Sequence, residues 1–95
     1  MSEIRFLILG IDDHILDKIA IKHSVSYEEM DEAFYNRGRQ VRRGRHGVYR
    51  LFSRSGSGRY LVLVIADRGE GSWQVASARE MSLVERRTFQ QAERK

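Results

Sequence analysis

One uninterrupted apolar segment, Tyr60–Ala66, constrains the fold more than any other feature of this chain. A short apolar run of this kind is typical of a central β-strand that is covered on both faces. Glycine-containing turns precede it at Ser55–Gly58 and follow it at Asp67–Gly71. The flanking segments Val48–Arg54 and Ser72–Ala78 are therefore predicted to pair antiparallel with it.

Two capping boxes mark the starts of two helices. Ser26 with Glu29, and Ser82 with Glu85, have the spacing in which each side chain satisfies a backbone N–H of the other residue. The first of these helices is predicted to run to about Asn36, and the last helix begins directly after the second box. The buried side of the first is predicted to consist of Tyr27, Met30, Ala33 and Phe34.

The remaining elements complete an α+β order. Ile4–Leu9 is predicted as a strand, and Asp12 or Asp13 caps a helix over residues 13–23. Gln40–Arg43 is either an edge strand or part of a loop. The order is then a strand, two helices, an antiparallel sheet of about four strands and a C-terminal helix.

Composition narrows the class of protein. Ninety-five residues, 41% of them hydrophobic, predict a single globular domain over residues 1–95. No apolar run approaches the ~18 residues that span a bilayer, so no membrane partner is expected. The chain has no cysteine, which suits the cytoplasm, and its three scattered histidines argue against a structural zinc site. We expect no metal and no cofactor.

Charge is distributed unevenly along the chain. Residues 1–36 carry three basic and eight acidic residues, whereas residues 37–95 carry fourteen basic and five acidic ones. Fourteen of the seventeen basic residues are arginine, whose planar guanidinium matches phosphate bidentately. This asymmetry favours a nucleic-acid partner, although ordinary solubility would also explain it. The densest basic run consists of Arg37, Arg39, Arg42, Arg43 and Arg45.

Four short motifs in order resemble the BrnT family of type II toxins. They are Lys22–Glu29 at the start of the second helix, Gly58–Leu61 at the entry to the central strand, Ser77–Arg79 and Glu85–Arg86. Asp12 also falls where that family has an aspartate. The resemblance covers the chain from Asp12 to about residue 89, and Ser24 stands where the family has glycine.

The resemblance implies a compact RelE-like fold and a ribonuclease activity that arrests growth. It also implies a ribbon-helix-helix antitoxin that holds the toxin inactive in a heterotetramer. That complex binds its own operator DNA through the antitoxin. A non-catalytic nucleic-acid-binding module that uses the same basic residues is the alternative.

Arg79 is the first candidate for the chemistry. Cleavage of RNA without a metal needs a base, an acid and cations that stabilise charge on the phosphate. Arg79 leaves the last strand beside the final helix, where it suits the cationic role. On a regular strand its side chain lies on the same side as Trp73, Val75 and Ser77. A structural ion pair with an acidic neighbour is the alternative.

Carboxylates and a Lys-His pair supply the remaining catalytic candidates. Glu85 and Glu80 are near enough in sequence to act as the base, although helix capping alone explains Glu85. Lys22 is expected to contact phosphate and His23 to transfer a proton near neutral pH. A cation at the end of a helix is also favoured by the helix dipole alone.

Four further residues are predicted to bind RNA. Arg59, Arg50 and Arg86 are candidates for phosphate contacts, and Tyr60 for stacking on a base. An aromatic residue in such a strand is more often part of the core, and a helical arginine is often only solvated.

Overall fold

The computed structural model describes residues 4–94 and shows a five-stranded sheet between two helical layers. The strand order is β1-β5-β4-β3-β2. The predicted domain limits, residues 1 and 95, lie outside the described residues. The elements are β1 Ile8–Gly10, α1 Asp13–His23, α2 Tyr27–Tyr35, β2 Gln40–Arg43, β3 Val48–Arg54, β4 Tyr60–Gly69, β5 Ser72–Glu80 and α3 Leu83–Glu93.

The predicted apolar strand is the centre of the sheet. β4 pairs antiparallel with β3 on one side and with β5 on the other. β2 pairs antiparallel with β3, so Gln40–Arg43 is an edge strand and not a loop. The fold prediction is confirmed as α+β, but the sheet has five strands and one parallel pair.

That parallel pair involves the N-terminal strand. β1 is only three residues long and pairs parallel with β5, with Leu9 opposite Trp73. The predicted strand over Ile4–Leu9 therefore begins too early. Before it, the backbone N–H groups of Leu7 and Ile8 both donate to the carbonyl of Gly71, at 2.8 and 3.0 Å. A shared acceptor of this kind does not continue a regular ladder.

Helices α1 and α2 cover one face of the sheet. Their buried side chains include Ile19, Met30 and Phe34, which pack on Leu63 and Val75 of the strands. The capping box of Ser26 and Glu29 is confirmed. Tyr27 was predicted to be buried but lies in the first helical turn, with 37% of its surface exposed.

Helix α3 covers part of the opposite face. Phe89 is buried against Phe52 and Val62, with Tyr60 and Met81 at the margin. The second predicted capping box starts this helix, as Ser82 accepts from the backbone N–H of Glu85 at 3.2 Å. One row of the sheet beyond α3 stays open to solvent. That row consists of Arg42, Arg50, Val64 and Ser77.

A β-bulge in β5 decides which way Arg79 points. Val75 pairs with Ile65 and Ser77 pairs with Val64, so Ala76 is an extra residue with no partner. Residues after the bulge change sides relative to those before it. Arg79 therefore lies on the α3 side, with Ser77 but not with Trp73 and Val75. The predicted alternation was wrong at this point.

Within residues 4–94, no helix combines the length and the apolar character that a bilayer span requires.

Candidate nucleic-acid interface

Arg79 and Glu85 form a bidentate pair at the start of α3. Nη1 and Nη2 of Arg79 donate to Oε1 and Oε2 of Glu85, at 2.6 and 2.9 Å. Nη1 also donates to the carbonyl oxygen of Glu80 at 3.0 Å. The backbone N–H of Ser82 donates to Glu85 Oε1 at 2.8 Å. The capping carboxylate thus also fixes the orientation of the guanidinium.

The electrostatics of this pair limit what Glu85 can do. Hydrogen bonds from Arg79 and from the backbone of Ser82 lower the pKa of Glu85 from 4.5 to about 2. The same pairing raises the pKa of Arg79. A carboxylate with so low a pKa is a weak general base near neutral pH. Glu85 is suited to hold Arg79, whose side chain is 40% exposed and faces solvent beside the groove described below.

Arg59 is engaged on the opposite side of the sheet. Its Nε donates to Glu80 Oε1 at 2.8 Å, and its Nη1 contacts both oxygens of Glu29 at 3.1 Å. Its Nη1 and Nη2 also donate to the carbonyl oxygens of Ser24 and His23, at 2.6 and 3.2 Å. One guanidinium therefore ties together the end of α1, the start of α2 and the end of β5.

The pKa values in this cluster, which we call the Arg59 knot, agree with its pairing. The backbone N–H of Ser26 and the guanidinium of Arg59 lower the pKa of Glu29, against its desolvation. The pKa of Arg59 is raised, first by the hydrogen bond to Glu80 and then by Glu29. The hydrogen bonds to the two carboxylates and the two carbonyls leave little of the guanidinium for RNA.

Lys22 and His23 lie at the β5 bulge. They line a shallow depression of about 190 Å³ together with Ala76 and Ser77. Both side chains are exposed, and neither makes a hydrogen bond within residues 4–94. Ser24 follows in the left-handed conformation with φ of 53°, and its N–H caps α1 on the carbonyl of Ala20. The Lys-His pair thus lies beside the bulge of the strand that carries Arg79.

Tyr60 is in contact with two arginines. The guanidinium carbon of Arg86 lies 4.2 Å from the ring centroid and that of Arg54 lies 4.7 Å from it. Its hydroxyl accepts from Gln90 at 3.2 Å, and its ring meets Phe89 edge-on. These arginines partly occupy the surface that base stacking would need.

A groove on the α3 side is lined by two basic residues, Arg42 and Arg50. It has a volume of about 230 Å³ and opens between the sheet and α3. Neither Arg42 nor Arg50 has a side-chain hydrogen bond or an ion pair within residues 4–94, and the two are opposite each other in the register. The other lining residues are Gln40, Phe52, Val84, Glu85, Thr88 and Phe89.

The structure thus divides the predicted site residues between two sides of the sheet. Arg50, Arg79 and Glu85 lie together on the α3 side, because Glu85 lines the groove and also binds Arg79. Glu80 and Arg59 lie on the other side, and His23 joins them through its carbonyl. Tyr60 and Arg86 lie on the flank of α3 away from the groove.

Sequence reasoning missed three polar residues of the groove, and its three apolar residues Phe52, Val84 and Phe89. Gln40 and Thr88 were not considered, and Arg42 was grouped with a general basic run. Pairing Gln40–Arg43 with Val48–Arg54 would have placed Arg42 opposite Arg50, but the choice between a strand and a loop was open. Among the described residues, no group of three or more His, Asp or Glu side chains is arranged to hold a metal ion.

Comparison with known proteins identifies the fold. No protein-family model matches the sequence, and no curated protein matches it either. Among solved structures, the chain is similar to the 1.1 Å crystal structure of BrnT, a ribonuclease toxin of Brucella abortus. The superposition has a TM-score of 0.66 at 11% identity and covers 80% of this chain and 99% of that one. The chain therefore has the fold of this BrnT toxin, as its motifs predicted.

Proposed function

We propose that this protein is an endoribonuclease toxin of a type II toxin-antitoxin system. The observation that carries the proposal is the groove on the α3 side, where Arg42 and Arg50 make no hydrogen bond or ion pair with the described residues and the Arg79–Glu85 pair lies at the margin. Unpaired arginines beside an oriented one suit a phosphate backbone. The chain also shares its fold with the BrnT ribonuclease toxin of Brucella abortus.

The proposed reaction needs no metal. The 2′-oxygen of a ribose attacks the adjacent phosphorus, the bond from phosphorus to the 5′-oxygen breaks, and a proton moves from one oxygen to the other. Arg79 stabilises the charge that develops on the phosphate oxygens. Glu85 holds Arg79 in place and, with its pKa of about 2, does not serve as the base.

His23 is the candidate for proton transfer in this reaction. Histidine is a common general acid and base, and the exposed His23 side chain lines the depression at the β5 bulge with Ala76 and Ser77, where Ser77 is two residues before Arg79 on the same strand. Lys22 beside it contacts a neighbouring phosphate. Glu80 and Arg59 act through the backbone, since the Arg59 knot fixes the end of α1 relative to β5.

Arg86 and Tyr60 are proposed to contact RNA outside the groove. Arg86 is exposed on α3, and its charge adds to the attraction for phosphates. Tyr60 orients the guanidinium of Arg86 by a cation-π contact and contributes less by stacking on a base.

The proposed antitoxin is a ribbon-helix-helix protein. In the proposed heterotetramer, an antitoxin dimer binds two toxins and the operator DNA. The sequence resemblance and the shared fold support this partner. The basic groove is a surface on which an acidic antitoxin segment would block RNA. Copurification of the toxin with an antitoxin encoded in the neighbouring reading frame tests the pairing.

One observation favours a second candidate, a non-catalytic RNA-binding module. Both candidate carboxylates are paired with arginines, Glu85 with Arg79 and Glu80 with Arg59. Neither is then available as a base, and His23 alone has to transfer the proton. If His23 does not do so, the same surface would bind RNA without cleaving it.

Induced expression and cleavage of RNA by the purified protein test the proposal. We expect growth arrest and RNA cleavage that persists in EDTA. Arg79→Ala and His23→Ala are each expected to abolish cleavage, whereas Arg87→Ala, a matched change on the exposed side of α3, leaves it intact. Circular dichroism checks that each variant folds. Wild-type protein that leaves cells and RNA unharmed but binds RNA in a salt-dependent way is the RNA-binding module.

A further inference from the structure

The groove on the α3 side has a floor suited to the face of a flat aromatic ring. Phe52 and Phe89 form its buried floor, and Val84 rises at the rim with 70% of its surface exposed. Its volume of about 230 Å³ is below the ~300–1,000 Å³ of pockets for drug-sized ligands. The space suits one small ring system and excludes a stack of several.

Hydrogen-bond donors enter the groove from the sheet. Arg50 lies on β3 opposite Arg42 on β2, and the guanidinium of Arg42 lies 5.4 Å from the centroid of the Phe52 ring. Neither side chain has a hydrogen-bond partner within residues 4–94. The guanidinium of Arg42 lies over the Phe52 ring and covers part of this floor, and together with Arg50 it can bind an acceptor pair on a ligand ring and the phosphate attached to it.

Hydrogen-bond acceptors enter from two other residues. Nε2 of Gln40 donates to the carbonyl of Phe89 at 3.1 Å, so the amide is oriented and its Oε1 stays unused within residues 4–94. Thr88 donates its hydroxyl to the carbonyl of Val84 at 3.1 Å, which leaves the lone pairs of Oγ1. The groove therefore offers donors on the sheet side and acceptors near α3.

From this inventory we propose that the groove is a subsite for one unstacked base of single-stranded RNA, with guanine preferred. Guanine presents the acceptors O6 and N7, which an arginine fork pairs with, together with N–H donors on its other edge. Adenine and cytosine lack this combination, and uracil has a single N–H. The inference rests on the proposed function only in taking RNA as the ligand.

The subsite would also place the RNA for cleavage. Glu85 lines the groove and holds Arg79, so a base in the groove has its phosphate beside the Arg79 guanidinium. Binding of the base therefore fixes the position of one phosphate, which general electrostatic affinity for RNA does not do.

Binding of non-cleavable RNA tests the subsite. The probes are four fluorescent 2′-O-methyl oligonucleotides, uniform except for a central G, A, C or U, and the measurement is fluorescence anisotropy with the full-length protein. We expect roughly tenfold tighter binding of the G probe, since a bidentate arginine-guanine contact is worth about that much or more. Val84→Trp, which fills the exposed rim, and Arg42→Ala are expected to remove the preference.

Arg43→Ala is the matched control for Arg42→Ala. Arg43 is the next residue on the same edge strand but is opposite Tyr49, so it faces the other side of the sheet. The control variant is expected to lose a little affinity for all four probes and to keep the preference for G. Thr88→Val supplies a second groove variant that removes one acceptor without changing the charge.

The outcomes separate the subsite from the proposed function. A preference for G that depends on the groove, found together with no cleavage of ordinary RNA, supports the subsite and overturns the ribonuclease. Equal binding of the four probes by the wild type overturns the subsite even if the protein cleaves RNA. A glutamate-rich peptide tests whether the groove binds protein instead. If the groove variants lose binding of this peptide but keep the preference for G, the groove is a protein-docking site and the base subsite is overturned.

Discussion

Arg59 and Arg50 are both predicted from the sequence to bind RNA, Arg59 ahead of Arg50, but the structure uses them in opposite ways. Arg59 makes five hydrogen bonds to two carboxylates and two backbone carbonyls, and its side chain is 25% exposed. Arg50 is exposed on the open row of the sheet, with no side-chain hydrogen bond or ion pair within residues 4–94. A guanidinium that is already satisfied stabilises the fold, whereas an unsatisfied one is available to a ligand.

This difference separates stability from binding on the two sides of the sheet. The face covered by α1 and α2 holds the Arg59 knot, where each of the three guanidinium nitrogens donates a hydrogen bond. The α3 side holds the groove, where Arg42 and Arg50 make no hydrogen bond or ion pair within residues 4–94. The following substitutions test whether the Arg59 knot affects only stability and the groove affects only RNA binding.

Loss of Arg59 is expected to have the largest effect on stability. Arg59→Ala leaves Glu29 half-buried without its cation and two carbonyls without a donor, and we expect a loss of about 2 kcal/mol. In a domain of this size that corresponds to roughly 10 °C in Tm. Urea and thermal unfolding measure it. Arg50→Ala is the control and should change stability by less than ~0.5 kcal/mol. Equal losses of unfolding free energy in Arg59→Ala and Arg50→Ala would show that Arg59 does not stabilise the fold more than Arg50 does.

Acid is expected to weaken the Arg79–Glu85 pair. The pKa of Glu85 is lower in the folded protein than in the unfolded chain, so the pair stabilises the fold above the ordinary value of 4.5 and loses this effect as the pH falls toward 2. Because Arg79 is 40% exposed, solvent screening reduces the contribution to about 1–2 kcal/mol. Urea unfolding of the wild type and of Glu85→Gln should differ at pH 6 and converge near pH 2. A constant difference across this range would contradict the assigned pKa.

For RNA binding we expect the reverse of the stability result, with an effect of Arg50 and none of Arg59. Arg50→Ala is expected to weaken binding of non-cleavable RNA by about fivefold and to reduce the slope of log K against log salt by about 1, as for the loss of one phosphate contact. Arg59→Ala removes the charge, but because this guanidinium is already bound within the protein, the salt slope measured well below the Tm of the variant should match that of the wild type. A slope reduced by about 1 in Arg59→Ala would show that Arg59 binds RNA directly.

Relief of strain at Ser24 is expected to have the smallest effect. Ser24 has φ of 53°, and its carbonyl accepts from Arg59 at 2.6 Å, so the knot holds a non-glycine residue in the left-handed region. Glycine adopts this conformation without a steric cost, and Ser24→Gly should stabilise the protein by about 0.5–1 kcal/mol. Thermal unfolding measures the gain, and Ser57→Gly in the exposed hairpin turn provides a comparison. A loss of stability would show that the serine side chain has its own role.

The sequence was sufficient for most of the fold. The apolar run of Tyr60–Ala66 and the two capping boxes are local signals, and the structure confirms the strand and both helix starts. The parallel pairing of β1 is not local, because its partner Trp73 is more than sixty residues away in the chain. No periodicity within Ile4–Leu9 could indicate that partner.

The site was less predictable because it too depends on contacts between residues that are far apart in the chain. An ion pair of Arg79 with an acidic neighbour was an alternative interpretation of the sequence, and the structure shows that this neighbour is Glu85. The Arg59 knot depends on contacts with Glu29 and His23 that lie thirty or more residues away. The roles of Arg59, Arg79 and His23 in RNA cleavage stay predictions.

The bulge at Ala76 has a consequence for aligning this protein with others of the same fold. β5 contains one residue more than its partner needs, so a relative with a regular strand there would have one residue fewer between Val75 and Ser77. An alignment without a gap at Ala76 would match Arg79 with a residue that points into the opposite layer. A single-residue gap at that position keeps the arginine in register.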